Sequence, residues 1–257
     1  MDTDNKYGML DAQKEFLPIL DHIDAICKKN HINYTISDGT LIGAVRHKGF
    51  VPWDDDIDIS FDRTDYNKFI KVLRKDLGAE YTVVRDMWVR RITRKDNPLK
   101  NAVPPEQCVD LFVFDSVPDN AFLNGTKNLL IKVLQGMMKR EVNYGGFSFL
   151  VKAELFITHL LGRAVSLETK QKWFDRVSQW GNNKKCKNKA RYSCSFRYIS
   201  KVRYPACITS EYTTVEFEGK QYMAVKQWDT FLSTDYGDYM KLPPEDKRIP
   251  KHKKRPL

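Results

Sequence analysis

The sequence contains no CxxC pair, no clean apolar run of membrane-spanning length and no bias toward glycine or proline. Cys27, Cys108, Cys186, Cys194 and Cys207 form an odd set whose spacing calls for neither a disulfide framework nor a zinc knuckle, so reduced thiols are expected. Only the fold could bring Cys186, Cys194 and Cys207 around a zinc ion. The most apolar stretch, residues 146–165, is broken by Lys152, Glu154, His159 and Arg163, which leaves it short of the ~18 apolar residues a membrane span needs. No transmembrane helix is expected. Residues 1–7 carry Asp2, Asp4 and Lys6 without an apolar core, which excludes a secretory signal and points to the cytosol. No unit of ~20–50 residues repeats.

What is present is 257 residues with 42% hydrophobic content, enough for one sizeable core or two small ones. The net charge of +10 is unevenly spread. Residues 184–203 hold eight Lys or Arg and no acid, and residues 247–257 hold six and none, so these segments carry +14 and the remainder −4. Two local basic segments suit phosphate groups, whether of a nucleotide, an anionic lipid surface or a polynucleotide. The mildly acidic body argues against nucleic acid as the main partner.

Phe16, Leu20, Ile23 and Cys27 mark one face of an opening helix that ends near Asn30, with Pro18 at a start or kink. A short strand is expected over 34–37, a turn at Asp38-Gly39, a helix over 40–46 and a strand over 56–61. Tyr66, Phe69, Ile70 and Leu73 are again helical, followed by strands at 81–84 and 88–92 joined by Arg85-Asp86, and an apolar strand at 109–114. Mixed elements at this density indicate an α/β or α+β catalytic core over residues 1–118. Residues 119–257 read as a helical and mixed acceptor-side region packed on the core. Within it, residues 119–180 are helical, with Leu129, Leu130, Val133, Leu134 and Met137 in one stripe, and strands at 213–217 and 221–225 flank a Glu218-Gly219-Lys220 turn. The stripe and residues 147–161 are assigned to core packing; the alternative is a membrane surface, since Lys132, Lys139, Arg140 and Lys152 accompany the apolar face.

The chemistry concentrates between Ser37 and Ile59. Side chains alternate along a strand, so Asp56 and Asp58 project to one side while Ile57 and Ile59 enter the core. Two close carboxylates repel unless a cation intervenes, and hard oxygen ligands favour Mg²⁺ or Mn²⁺. Asp54 and Asp55 also fit a solvated acidic turn. A calcium loop counted from Asp54 is disfavoured by Ile59, which stands where glycine is required. Upstream, Asp38-Gly39-Thr40 opens a helix in a way that lets backbone amides approach an anion. Arg46, His47 and Lys48 add donors for a diphosphate, and Trp53 adjoins the acidic run. Downstream, Asp110 near the start of an apolar strand either completes a metal site, takes a proton from an attacking hydroxyl, or faces water at a strand end.

The run from Gly39-Thr40 through Trp53-Asp54-Asp55-Asp56-Ile57-Asp58 resembles the signature of the LicD family of phosphocholine transferases, itself similar to the fukutin-related ribitol-phosphate transferases. The resemblance extends to Asp110 in Val109-Asp110-Leu111-Phe112 and to the closing Asp235-Tyr236-Gly237-Asp238-Tyr239. It implies a nucleotidyltransferase-like mixed sheet flanked by helices, with a divalent metal on Asp56, Asp58 and Asp110. It also implies transfer of a phospho-alcohol group from a CDP-linked donor, typically CDP-choline, to a sugar hydroxyl of a cell-surface glycan, with release of CMP. Under this reading Asp38, Gly39, Thr40, Arg46, His47, Lys48 and Trp53 line the substrate. The implied acceptor is lipid-linked at the inner membrane face, which the basic C-terminal tail suits. A choline group calls for aromatic faces, for which Trp53, Trp88 and Tyr81 are candidates. Three readings compete with this one: CDP-ribitol or CDP-glycerol as donor, a metal-dependent glycosyltransferase, and a nucleic-acid module stacking bases on Tyr192, Phe196 and Tyr198.

Overall fold

The computed structural model describes residues 6–101, 107–140, 146, 148–182 and 185–250. The chain opens with α1 (Leu10–Lys29), β1 (Thr35–Ile36), α2 (Asp38–His47), β2 (Ile57–Asp62) and α3 (Arg63–Asp76). Next come β3 (Tyr81–Asp86), β4 (Val89–Arg94) and β5 (Val109–Val117), then the helices α4 (Ala121–Met138), α5 (Phe149–Arg163) and α6 (Leu167–Ser178). Short pieces follow: β6 (Asn188–Ala190), α7 (Phe196–Ile199) and β7 (Tyr204–Pro205). The hairpin β8 (Tyr212–Phe217) and β9 (Lys220–Val225) leads into α8 (Trp228–Tyr236). The fold is α/β. Among the described residues no helix is long and apolar enough to cross a membrane.

Two compact units form. The first comprises Met1–Asp86, Arg90–Val113 and Cys207–Leu257, and the second Met87–Val89 and Phe114–Ala206. The boundary expected at residue 118 thus separates the helical segment, but the chain returns to the first unit after Ala206. The reason is hydrogen bonding that sequence separation hides: the Val225 amide donates to Thr35 Oγ1 at 3.1 Å and the Tyr34 amide meets Met223 Sδ at 3.3 Å, so β9 lies along β1.

In the first unit the strands order as β1-β2-β5-β4-β3. Ile36 lies opposite Ile59 in the antiparallel β1–β2 pair, and Arg91 opposite Asp110 in the β4–β5 pair. Ile57, Ile59 and Phe61 are fully buried, which is why β2 alternates; burying each such side chain contributes ~1.5–3 kcal/mol. The strand starts at Ile57, one residue later than its alternation implied, so Asp56 belongs to the preceding loop. Asp62 caps α3 by accepting the Thr64 amide at 3.1 Å. Pro18 sits inside α1, whose buried face includes Phe16, Leu20, Ile23 and Cys27. The β3–β4 turn falls at Met87-Trp88, directly after the expected Arg85-Asp86, and Met87 takes the left-handed conformation (φ 49°).

In the second unit Val117, Ile131, Leu134, Phe174 and Tyr192 share a core. Lys127 is fully buried there, donating to the Ser116 and Trp180 carbonyls at 2.9 and 2.8 Å above the Tyr192 ring. Core packing does not hold for most of α5: it buries Thr158 and Gly162, while Phe149, Leu150, Phe156, Ile157, Leu160 and Leu161 are exposed. Phe147 lies outside the described residues. Of the residues expected to stack bases, Tyr192 is sealed in the core, whereas Phe196 and Tyr198 are part exposed.

Candidate active site

Helix α2 organises the acidic segment. Gly39, in its first turn, has no Cβ because the Asp54 carboxylate fills that space; any side chain there would overlap Asp54 Oδ2. Asp54 is therefore buried, 6% exposed, at the positive end of a helix dipole, and is not part of a solvated turn. The space left at Gly39 thus holds a carboxylate of this chain. The loop is pinned from α1: buried Gln13 donates through Nε2 to the Val51 and Asp54 carbonyls at 3.2 and 2.9 Å. Farther along α2, a Cβ on Gly43 would strike the Gly49 carbonyl, so the loop lies directly on the helix.

Both main-chain groups of Asp58 are held by the start of α2. Its amide donates to Thr40 Oγ1 at 2.9 Å, and its carbonyl accepts the Ser37 amide at 2.9 Å. Thr40, 1% exposed, thus ties the start of α2 to the strand. Asp38 adopts the left-handed region (φ 47°), which costs a non-glycine residue about 1–2 kcal/mol, and its Oδ1 accepts the Tyr236 hydroxyl at 3.1 Å.

One carboxylate oxygen from each of Asp54, Asp55 and Asp56 lies within 4.8 Å of the others, and among the described residues this is the group of acidic side chains that converges. Asp58, 7% exposed, follows on β2. Asp110 is differently engaged. The Arg91 guanidinium reaches its two oxygens, Nε to Oδ1 at 2.6 Å and Nη2 to Oδ2 at 3.1 Å, and stands 4.0 Å from the Asp86 carboxylate. The structure therefore groups Asp56 with Asp54 and Asp55, and gives Asp110 a guanidinium. Sequence reading passed over Arg91, although a basic residue inside an expected strand was as visible as Asp110.

A positive group gathers at the far end of α2. Arg46 donates from Nη1 to the Tyr239 carbonyl at 2.7 Å and from Nε to His47 Nε2 at 3.0 Å. Burial, then the nearby Arg248, lowers the proton affinity of Arg46; burial, then Arg46, lowers that of His47. Arg248 also lies 5.8 Å from the Trp53 ring centre, and Tyr7 meets the same ring edge-on at 5.5 Å. Exposed Lys48 caps α2 in the left-handed region (φ 61°), and its carbonyl accepts the Glu218 amide at 2.9 Å. The Glu218 carboxylate in turn accepts the Phe50 amide at 3.0 Å, so the β8–β9 turn braces the loop that leads to Trp53.

The closing Tyr236–Tyr239 stretch spans α2, with Tyr236 on Asp38 and the Tyr239 carbonyl on Arg46. Burial, then the hydrogen bond to Asp229, pushes the Tyr239 hydroxyl up to about 12, so it remains a donor at neutral pH. Of the sequence-expected residues, Asp38, Gly39, Asp54, Asp56 and Asp58 meet at the start of α2, while Arg46, His47 and Lys48 stand at its end. At 1.5 Å per residue the two ends are about 14 Å apart. Trp53 stands in the chain next to Asp54 and beneath Arg248. Three converging carboxylates on a pinned loop fit a hard divalent cation, and Asp56 is common to this cluster and to the alternating pair read from the sequence.

A family model described as LicD/FKTN/FKRP, nucleotidyltransferase domain, matches residues 31–137, which include the α2–β2 segment and Asp110. The chain is similar to the lipopolysaccharide cholinephosphotransferase LicD of Haemophilus influenzae, 29% identical over 96% of this chain and 97% of that protein. An uncharacterised protein of Rickettsia typhi is 35% identical over 35% of this chain and 26% of its own length. One of Rickettsia prowazekii is 46% identical over 21% of each chain.

Proposed function

The chain belongs to the LicD family, and from that premise we propose that it transfers phosphocholine from CDP-choline to a hydroxyl of a cell-surface glycan, releasing CMP. The observation that carries this reading is the pinned acidic segment from Asp54 to Asp58, packed against the start of α2, in a chain similar along nearly its whole length to a cholinephosphotransferase. In the reaction, the acceptor oxygen forms a bond to the choline-bearing phosphorus, the bond from that phosphorus to the CMP oxygen breaks, and the hydroxyl proton passes to a carboxylate.

Asp56 and Asp58 would hold Mg²⁺ or Mn²⁺, with Asp54 and Asp55 completing the carboxylates that converge on Asp56. When bound there, such an ion supplies charge neutralisation for a diphosphate. The Gln13, Thr40 and Ser37 hydrogen bonds fix the backbone that carries Asp54 and Asp58 before donor arrives, so little reorganisation is needed. Arg46 and Arg248 supply positive charge for the departing CMP. Asp110, fixed by Arg91, orients the acceptor hydroxyl and receives its proton. Trp53 offers the aromatic face for the quaternary ammonium, a contact worth ~0.5–2 kcal/mol.

The acceptor is a lipid-linked glycan precursor, reached by peripheral attachment at the inner membrane face. A panel of CDP-choline, CDP-ribitol and CDP-glycerol, each with and without Mg²⁺, tests the donor. CMP release with choline appearing on the glycan supports the reading. Turnover confined to CDP-ribitol or CDP-glycerol, or a sugar transferred from a nucleotide-sugar, overturns it.

A further inference from the structure

We propose that the exposed face of α5 is a docking surface for an anionic lipid bilayer, with the helix lying in the headgroup layer. Phe149 and Leu150 are 81% and 78% exposed, and Phe156, Ile157, Leu160 and Leu161 all exceed half exposure. At ~100° per residue these six side chains fall in one stripe roughly 140° wide, with buried Thr158 and Gly162 on the opposite side. Lys152 and Arg163 line one edge of the stripe. The helix has one acid, Glu154, and Lys132 of α4 neutralises it at 2.5 Å. An apolar stripe bordered by basic side chains, on a helix too short to span a membrane, is the pattern of an interfacial helix.

Charge selects this occupant. The second unit, which carries α5, has seventeen Lys and Arg against six Asp and Glu, a net +11, whereas the whole chain is +10, leaving the first unit at −1. Basic residues near an anionic leaflet add to its attraction. Two copies meeting through this face would bring two units of +11 together, so self-association is opposed by the same charge. A polynucleotide would leave the apolar stripe bare. The inference stands on the surface alone and does not depend on the donor or the acceptor.

The test is co-sedimentation of the full chain with vesicles of phosphatidylcholine alone or with one-third phosphatidylglycerol. The expected result is at least tenfold stronger partitioning onto the anionic vesicles. It should fall at least tenfold in Phe156→Glu/Leu160→Glu, and severalfold in Lys152→Glu/Arg163→Glu, with unchanged circular dichroism. Deleting residues 251–257 should leave most of the binding intact. Undiminished partitioning of Phe156→Glu/Leu160→Glu, loss of binding on tail deletion alone, or absence of binding by the wild type overturns the proposal. So does a wild-type dimer in light scattering that Phe156→Glu/Leu160→Glu converts to monomer without any effect on vesicle binding.

Discussion

Arg91 holds both carboxylate oxygens of Asp110 across the β4–β5 pair, at 2.6 and 3.1 Å, with the two side chains only 11% and 15% exposed. Removing one partner of such a pair strands the other charge in a poorly hydrated place. Arg91→Met should therefore destabilise the protein by about 3 kcal/mol, read as a lower urea midpoint at unchanged slope. Arg91→Met/Asp110→Asn should recover much of that loss, because neither charge is left alone. Equal stability of the single and double variants would show that the pair contributes little.

Gly39 and Asp54 occupy what would otherwise be one volume. Gly39→Ala must displace the carboxylate from the start of α2, and overpacking of this kind costs about 1–3 kcal/mol. Turnover should fall more than tenfold while circular dichroism keeps its shape. Thr40→Val deletes the acceptor of the Asp58 amide and should cost ~1–3 kcal/mol for a buried N–H without its partner. Thermal melts and initial rates of the two variants check both statements.

His47 gives the stability a pH dependence of defined sign. Burial first, and Arg46 second, depress its proton affinity in the folded state, while the unfolded chain titrates near ~6.5. Below that pH the unfolded state takes up a proton that the folded state refuses, so stability is full above about 6.5 and declines as pH falls toward the folded value. Urea midpoints between pH 7.5 and 5.5 should fall with a slope that His47→Gln flattens. An identical slope in the variant would remove His47 as its source.

Much of the α2–β2 unit could be read from local pattern, because a glycine-marked turn and alternation of Asp with Ile are written in consecutive residues. Helix α2 begins two residues early, at Asp38. The burial of Asp54 could not be read locally: it depends on Gln13, 41 residues upstream, and on the gap at Gly39. The return of residues 207–250 to the first unit is likewise set by β9 hydrogen-bonding to β1. For α5, periodicity identified an apolar face correctly but carried no information on what covers it. That is why the expectation of core packing fails for most of α5, whose apolar side chains are exposed.

The central claim is that Asp56 and its neighbours work on a CDP-linked donor, and one measurement bears on it most directly. Choline-labelled CDP-choline is incubated with a lipopolysaccharide acceptor and Mg²⁺, and both label transfer and CMP are followed for the wild type and for Asp56→Asn. The account predicts stoichiometric transfer and CMP release by the wild type, and a loss of at least a hundredfold in Asp56→Asn with its melting temperature retained. Equal turnover by the two proteins, or turnover that ignores chelation of the metal, would contradict it.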